Sequence, residues 1–283
     1  MQRTAGADRD ALLPMRRQTI AVQIRAILRR EIIKGQLLPR SLLSEQELSQ
    51  RFGVSRTPVR EALIKLSEEN LVDTYPQYGT FVAPIKLRDV FDSQFVREAL
   101  ECAAIERAIE KIDAAQAKAL RMMVDRQRSL HRANDSDGFF EADERMHALI
   151  MEIAGHPQAW RQVENAKAQM DRVRRLTFRI PKKLSSVVAE HNAIVECLVD
   201  RDGDGAIEAM RAHLRGLFRS VEILKKENAS YFADDAALAP TPPPRVSASV
   251  RKQPLRNGTA LKHRDKVDQK RASGALARRR RDG

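Results

Sequence analysis

Asp143 and His147 stand four residues apart in a stretch of helical periodicity, so both side chains leave one face of one helix. His191 and His213 fall on two further helical segments. One carboxylate and three imidazoles form a donor set for a divalent cation, with zinc, nickel and manganese all suited to it. The Asp-x3-His spacing alone has two plainer meanings, a surface pair or a satisfied polar group in a core. Four protein ligands would leave room on the ion for a small organic acid or for an activated water. Hydrolysis needs a free general base beside the open position. The nearby carboxylates, Glu141 and Glu144, do not share the Asp143/His147 face, so the expectation is a binding protein and no enzyme. A purely structural ion, with an effector bound independently of it, is the alternative. His131 sits near a helix end, His156 in the Gly155–Pro157 turn and His263 in the C-terminal segment, all outside the set.

A second chemistry lies in "FGVSRTPVREALIKL", residues 52–66. Val59, Ala62, Leu63 and Leu66 follow the i, i+3, i+4, i+7 pattern of a helix with one buried face. Ser55 or Thr57 can cap that helix, and Pro58 falls in its first turn, where a missing N–H costs little. Arg56 and Arg60 then project from the N-terminal turn, where exposed backbone N–H groups already carry positive potential. No acid is spaced along this helix to neutralise both. Such an end wants an anion.

The surrounding elements must position these groups. The stripe Ile20, Ile24, Ile27, Leu28 and Ile32 predicts a helix from Gln18 to Lys34, stopped by Gly35. "SEQELSQRFG" predicts a second, short helix with Ser44 and Glu47 as a capping box and Gly53 as its stop. Two short helices around a tight Gly-containing turn make a helix-turn-helix. "LVDTYPQYGTFVAP" then alternates as two short strands, Leu71–Thr74 and Thr80–Val82, around a turn: a wing. Six helices follow, near 88–110, 114–133, 137–154, 157–179, 182–201 and 204–228. The fold class expected is mainly α, a winged helix-turn-helix followed by an all-α six-helix bundle able to hold a pocket.

Residues 18–83 resemble the winged helix-turn-helix of GntR-type bacterial transcriptional regulators, through "LSEQELSQRFGVSRTPVREALIKL" and "YGTFV". The later helices resemble the FCD effector domain of the FadR subfamily, through "VREALE", "FFEADERMHALIMEIAG" and "EHNAIVECLVDRDGDGAIEAMRAHL". The resemblance implies DNA contacts from Gln46, Ser55, Arg56, Thr57 and Arg60, with Tyr78 and Gly79 at the wing tip. It also implies that Asp143, His147, His191 and His213 occupy metal-binding positions. Arg97, from the first bundle helix, would clamp an effector carboxylate; the plainer role is an ion pair with Glu101 at i+4. The partners expected are a double-stranded DNA operator, a second copy of the chain and a small carboxylate effector. Two departures stand out. Arg40 replaces the usual Gly of the turn before the second helix, straining it or adding a phosphate contact. Asn70 replaces the usual Gly at the end of the recognition helix, a tolerable left-handed cap.

The domains expected are a mobile arm (1–17), the winged helix (18–83), the effector and dimerisation domain (84–229) and a disordered basic tail (230–283). The net charge of +13 is uneven. Residues 1–83 carry 13 Lys/Arg against 9 Asp/Glu, residues 84–239 carry 25 against 26, and residues 240–283 carry 13 against 3. The pI therefore reports the tail, and DNA recognition rests on the N-terminal segment. Cys102 and Cys197 have no ligand-like spacing, and no long apolar run predicts a signal or membrane segment, so a cytoplasmic location is expected. Non-specific packaging of nucleic acid by the tail is the contrasting reading. Deleting residues 240–283 should spare operator recognition while lowering non-specific affinity and flattening its salt dependence in a gel-shift series; loss of operator recognition would contradict the assignment.

Overall fold

The computed structural model describes residues 18–178, 180 and 183–233. The expected arm at 1–17, the expected helix break at Pro181 and the tail beyond Ala233 lie outside the described residues.

The first three helices are α1 (Ile20–Ile33), α2 (Glu45–Phe52) and α3 (Arg56–Glu68). Thr19 caps α1, and the Ser44 side chain accepts from the Glu47 N–H at the start of α2. Gly53 ends α2 in the left-handed conformation, φ 66°. The interhelix turn is thereby tight enough to bring Leu48 and Phe52 onto Val59, Leu63 and Leu66. Asn70 takes φ 57° after α3, as expected of a left-handed cap. The wing is an antiparallel pair, β1 (Val72–Tyr75) and β2 (Gly79–Val82), with Val72 opposite Val82 and Tyr75 opposite Gly79.

The bundle comprises α4 (Leu87–Lys111), α5 (Ala114–Arg132), α6 (Ser136–Ile153), α7 (Pro157–Ala166), α8 (Ala168–Thr177), α9 (Lys183–Val199), α10 (Gly203–Arg215) and α11 (Phe218–Glu227). Two of the six expected helices are each divided. The break between α7 and α8 falls at Lys167, whose buried ammonium pairs with Glu144 and Asp171. The break between α10 and α11 falls at Gly216, where the Gly216 N–H turns to the His213 carbonyl in a tighter i+3 bond. Lys183 Nζ takes the freed Gly216 carbonyl at 3.4 Å. Apolar periodicity runs through both breaks, so it did not mark them. Asp113, Asp135 and Asp202 cap α5, α6 and α10. Among the described residues no helix is long and apolar enough to cross a membrane.

Three buried clusters result: one in the winged helix that also takes in Ala168 of α8, one among α4–α7, α9 and α10, and a third formed by the linker, α4, α8, α11 and Phe232. The third contains Ile85 from the linker, Met170, Val173 and Leu176 from α8, Val221 and Leu224 from α11, and Phe232. Residues 230–233 therefore do not begin the tail, as the sequence suggested. A 3-10 turn, Ala229–Tyr231, carries Phe232 into the core, and Ile85 exchanges hydrogen bonds with Tyr231 and Ala233. Arg40 explains itself here. Its backbone sits at φ 67°, and its guanidinium donates to the carbonyls of Ser230 (2.6 Å) and Phe232 (3.2 Å). It is a staple between the winged helix and the C-terminal strap.

Phe232→Ala should cost roughly 3–5 kcal/mol, the range for emptying a buried aromatic site. Urea denaturation should show the loss, and limited proteolysis should find new cleavage at residues 83–86 as the linker loses its cover.

Candidate metal centre and DNA-reading face

α6 presents Asp143 and His147 inward, α9 presents His191 and α10 presents His213, and all four side chains are buried. The ligand atoms of the three histidines lie within 4.8 Å of one another. His191 Nε2 and His213 Nε2 are 3.3 Å apart. Asp143 borders the triad, with one oxygen 3.6 Å from His191 Nε2 and the other 4.0 Å from His147 Nε2.

The far side of each ring faces an oxygen. Gln127 Oε1 is 2.6 Å from His191 Nδ1, and Glu190 Oε2 is 2.9 Å from His213 Nδ1. Glu101 Oε2 lies 2.5 Å from His147 Nδ1, off the line of a good hydrogen bond. An amide oxygen and a carboxylate only accept, so Nδ1 carries the proton in His191 and His213. Their Nε2 lone pairs then point at each other across 3.3 Å, and His147 Nε2 has no hydrogen-bond partner. A cation between these lone pairs relieves all three rings. Oxygen partners behind metal-binding imidazoles fix ring orientation and raise basicity. The residues present fit a divalent ion.

Burial drives the electrostatics. It pushes the His191 imidazole well below its ordinary value, and the neighbouring His213 adds to the effect. His213 is lowered by burial as well, against the pull of Glu190. Burial works to raise Asp143, but Arg174, His191 and His147 overcome it and hold the carboxyl far below the usual range. Glu101 follows the same logic, with Arg97 and His147 bringing it down to about 2. Arg174 pairs with Asp143, Glu144 and Asp171 at once.

The plainer role expected of Arg97, an ion pair with Glu101, is present in altered form, as a buried couple and not a surface one. Arg97 also lines a cavity with Asp143, Arg174, Lys183, Glu190 and His213, and its Nη2 has no hydrogen-bond partner. That cavity has about 30 Å³ of space, room for about two waters.

In the winged helix Gln46, Ser55, Arg56, Thr57, Arg60 and Tyr78 are each exposed, and Gly79 is half-buried. The sequence showed no acid along α3 to balance both arginines, yet α2 supplies one. Glu45 takes Arg60 through Nε (2.9 Å) and Nη2 (3.0 Å). Gly79 has its own structural reason: at φ 116°, a Cβ there would lie 2.9 Å from Leu42 Cδ1.

Comparison with known proteins decides the family. The model of the gntR family of bacterial regulatory proteins matches residues 20–82, and that of the FCD domain matches residues 92–216. The chain is 38% identical over 218 residues to the HTH-type transcriptional repressor RspR of Escherichia coli (strain K12), covering 77% of this chain and 96% of that one. It is also 38% identical over 213 residues to an uncharacterised HTH-type regulator in an unstable DNA locus of Streptomyces ambofaciens, covering 75% and 89%. The chain belongs to the GntR family. In fold it resembles E. coli McbR/YncC, with a TM-score of 0.62, 19% identity and coverage of 74% of this chain and 99% of that one.

This GntR-family protein is thus a transcriptional regulator with a DNA-binding helix-turn-helix and an FCD effector domain, and no enzyme. Sequence reasoning missed Gln127, Glu190 and Arg174, and read Glu101 only as a partner of Arg97. Glu190 had a signal, an acid adjacent to a candidate ligand; Gln127 had none.

A pH dependence follows for the metal-free regulator. His191 and His213 are lowered when folded, so the unfolded chain takes up their protons first. Their contribution is complete above the unfolded value near 6.5 and is lost as pH falls below it. Asp143 and Glu101, also lowered, withdraw theirs only in the acid range below the usual carboxylate values. In chelator, the urea midpoint should drop between pH 7.5 and 5.5, and replacing His191 by Gln should flatten that drop.

Proposed function

We propose that the regulator binds a near-palindromic operator as a homodimer and represses from it, releasing when a small organic acid enters a metal-dependent pocket in the FCD domain. Repression is the activity in the printed name of the RspR relative. Gln46, Ser55, Arg56, Thr57 and Arg60 meet the major groove, and Tyr78 and Gly79 approach the minor groove. Zinc, held by Asp143, His147, His191 and His213, is the cation that best suits an imidazole-rich set; nickel and manganese are the other candidates. The observation that carries the metal is the pair of Nε2 lone pairs 3.3 Å apart, each fixed from behind by an acceptor. The bound ion would supply a Lewis-acidic anchor for a carboxylate.

Arg174 couples the pocket to the winged helix. Arg174 lines the cavity together with Arg97 and Lys183, where a carboxylate would meet it, and it holds Asp143 from α8. Elsewhere on the same short helix, Gln169 donates to the Asn70 carbonyl beyond α3, and Arg172 donates to the Ala83 carbonyl beyond β2 at 2.8 Å. A carboxylate that draws Arg174 away disturbs the helix that holds the DNA-binding unit just after α3 and just after β2. Such a ligand shifts the equilibrium only through its different affinity for the two arrangements.

His147→Ala, His191→Ala and His213→Ala should each lose the ion and the response to acids while retaining operator binding. Metal stoichiometry by elemental analysis, read beside footprinting with a panel of short mono- and dicarboxylic acids, tests this. Variants that keep the metal, or that lose it yet release the operator normally, would contradict the proposal.

A further inference from the structure

The two arginines at the head of α3 are held in different ways. Glu45 grips Arg60 side-on, through Nε and Nη2, with both distances near 3 Å. Arg56 reaches only the amide oxygen of Gln46, at 3.4 Å, and has no carboxylate partner among the described residues. A guanidinium carries five N–H groups in two forks, one on the Nε/Nη2 edge and one on the Nη1/Nη2 edge. Glu45 occupies the first fork of Arg60 and leaves the second directed away from α2. The Arg60 side chain is 67% exposed, so that free fork faces solvent.

Charge separates the two residues further. With a carboxylate beside it, Arg60 offers little net charge to a phosphate. Guanine O6 and N7 are neutral acceptors that match a guanidinium fork, and they need its geometry more than its charge. Arg56 has no carboxylate in ion-pair range and acts on Glu45 only through space, so it keeps more of its charge, and its one long bond to Gln46 is easily exchanged for a phosphate. Glu45 is itself well placed for the task. It lies in the first turn of α2, where the helix N-terminus favours a carboxylate, and Leu48 and Phe52 anchor that helix in the core. Arg60 also holds the Glu45 carboxyl below its ordinary value, chiefly by hydrogen bonding, so Glu45 is ionised at neutral pH.

We propose that Glu45 is a positioning residue that presents Arg60 as the reader of a guanine, while Arg56 serves as a phosphate clamp. This rests on α3 being the helix that enters the DNA groove. Specificity and affinity then reside in different arginines one helical turn apart.

The test uses the full chain, a duplex selected by it from a random pool, and a scrambled duplex, each titrated over a range of salt. Arg60→Ala should lower discrimination between the duplexes by roughly 5- to 150-fold with the salt slope unchanged. Arg60→Lys, which keeps the charge and loses the fork, should do the same. Arg56→Ala should weaken both duplexes alike and reduce the salt slope by about 1. Glu45→Gln should bind the scrambled duplex more tightly, steepen the slope by about 1 and reduce discrimination. Replacing guanines of the selected duplex one at a time by 7-deazaguanine should reveal one position that costs the parent affinity and costs Arg60→Ala nothing more. Circular dichroism on every sample separates misfolding from lost recognition. If Arg60→Ala behaves like Arg56→Ala, or Glu45→Gln changes neither slope nor discrimination, the inference falls while α3 remains the reader. A Glu45→Gln protein that selects a different base would make Glu45 a reader in its own right and also overturn it. If neither arginine affects either duplex, the assignment of α3 falls and takes the inference with it.

Discussion

Two imidazole lone pairs facing each other inside a helix bundle constrain everything around them. A bundle of this size has ample apolar side chains, and filling the space near α6, α9 and α10 with them would cost less than burying three histidines and an aspartate. Buried polar groups are retained at a cost in stability unless every donor and acceptor finds a partner. Here the outer nitrogens of His191 and His213 find partners in Gln127 and Glu190, His147 Nδ1 lies beside the Glu101 carboxylate without a hydrogen bond, and the inner nitrogens face inward with no protein donor between them. The centre of the site is left without donors, and the three histidines there could hold a cation.

The same need for partners ties the site to the rest of the molecule. Asp143 requires a positive neighbour, and Arg174 supplies it from α8. α8 is short and polar on several sides, and its side chains also satisfy the backbone carbonyls of Asn70 and Ala83. The strap at Ser230–Ala233 closes over the linker and receives Arg40. The winged helix is consequently docked by guanidinium and amide donors on backbone acceptors, together with a modest apolar cluster. Contacts of this kind are strong enough to define one arrangement, and they can be exchanged for water without exposing a large apolar face.

Much of the fold was legible because local chemistry and tertiary structure agree. The stripes of α1 and α3, the Ser44 cap, the Gly53 stop and the alternation of the wing each follow from residue type and spacing. The four ligand candidates were legible as well, because histidine and aspartate on inward helical faces are costly enough to be informative. What stayed hidden depends on distance in sequence. Lys167 and Gly216 interrupt two helices through partners on other elements, and apolar periodicity does not register that. Arg40 looked strained or DNA-directed, since its acceptors at Ser230 and Phe232 lie at the far end of the chain. The pairing of Glu45 with Arg60 crosses from α2 to α3, so a search for acids along one helix missed it. Phe232 looked like the start of a charged segment, and its burial follows only from the strand-like pairing with Ile85.

X-ray absorption spectroscopy on zinc-loaded full-length protein tests the central claim most directly. The account requires one zinc per chain whose outer-shell scattering is that of three imidazoles, with the signal reduced by one imidazole in His213→Ala if that variant retains any metal. A chain that takes up no zinc on reloading, or a spectrum lacking histidine scattering, would contradict it.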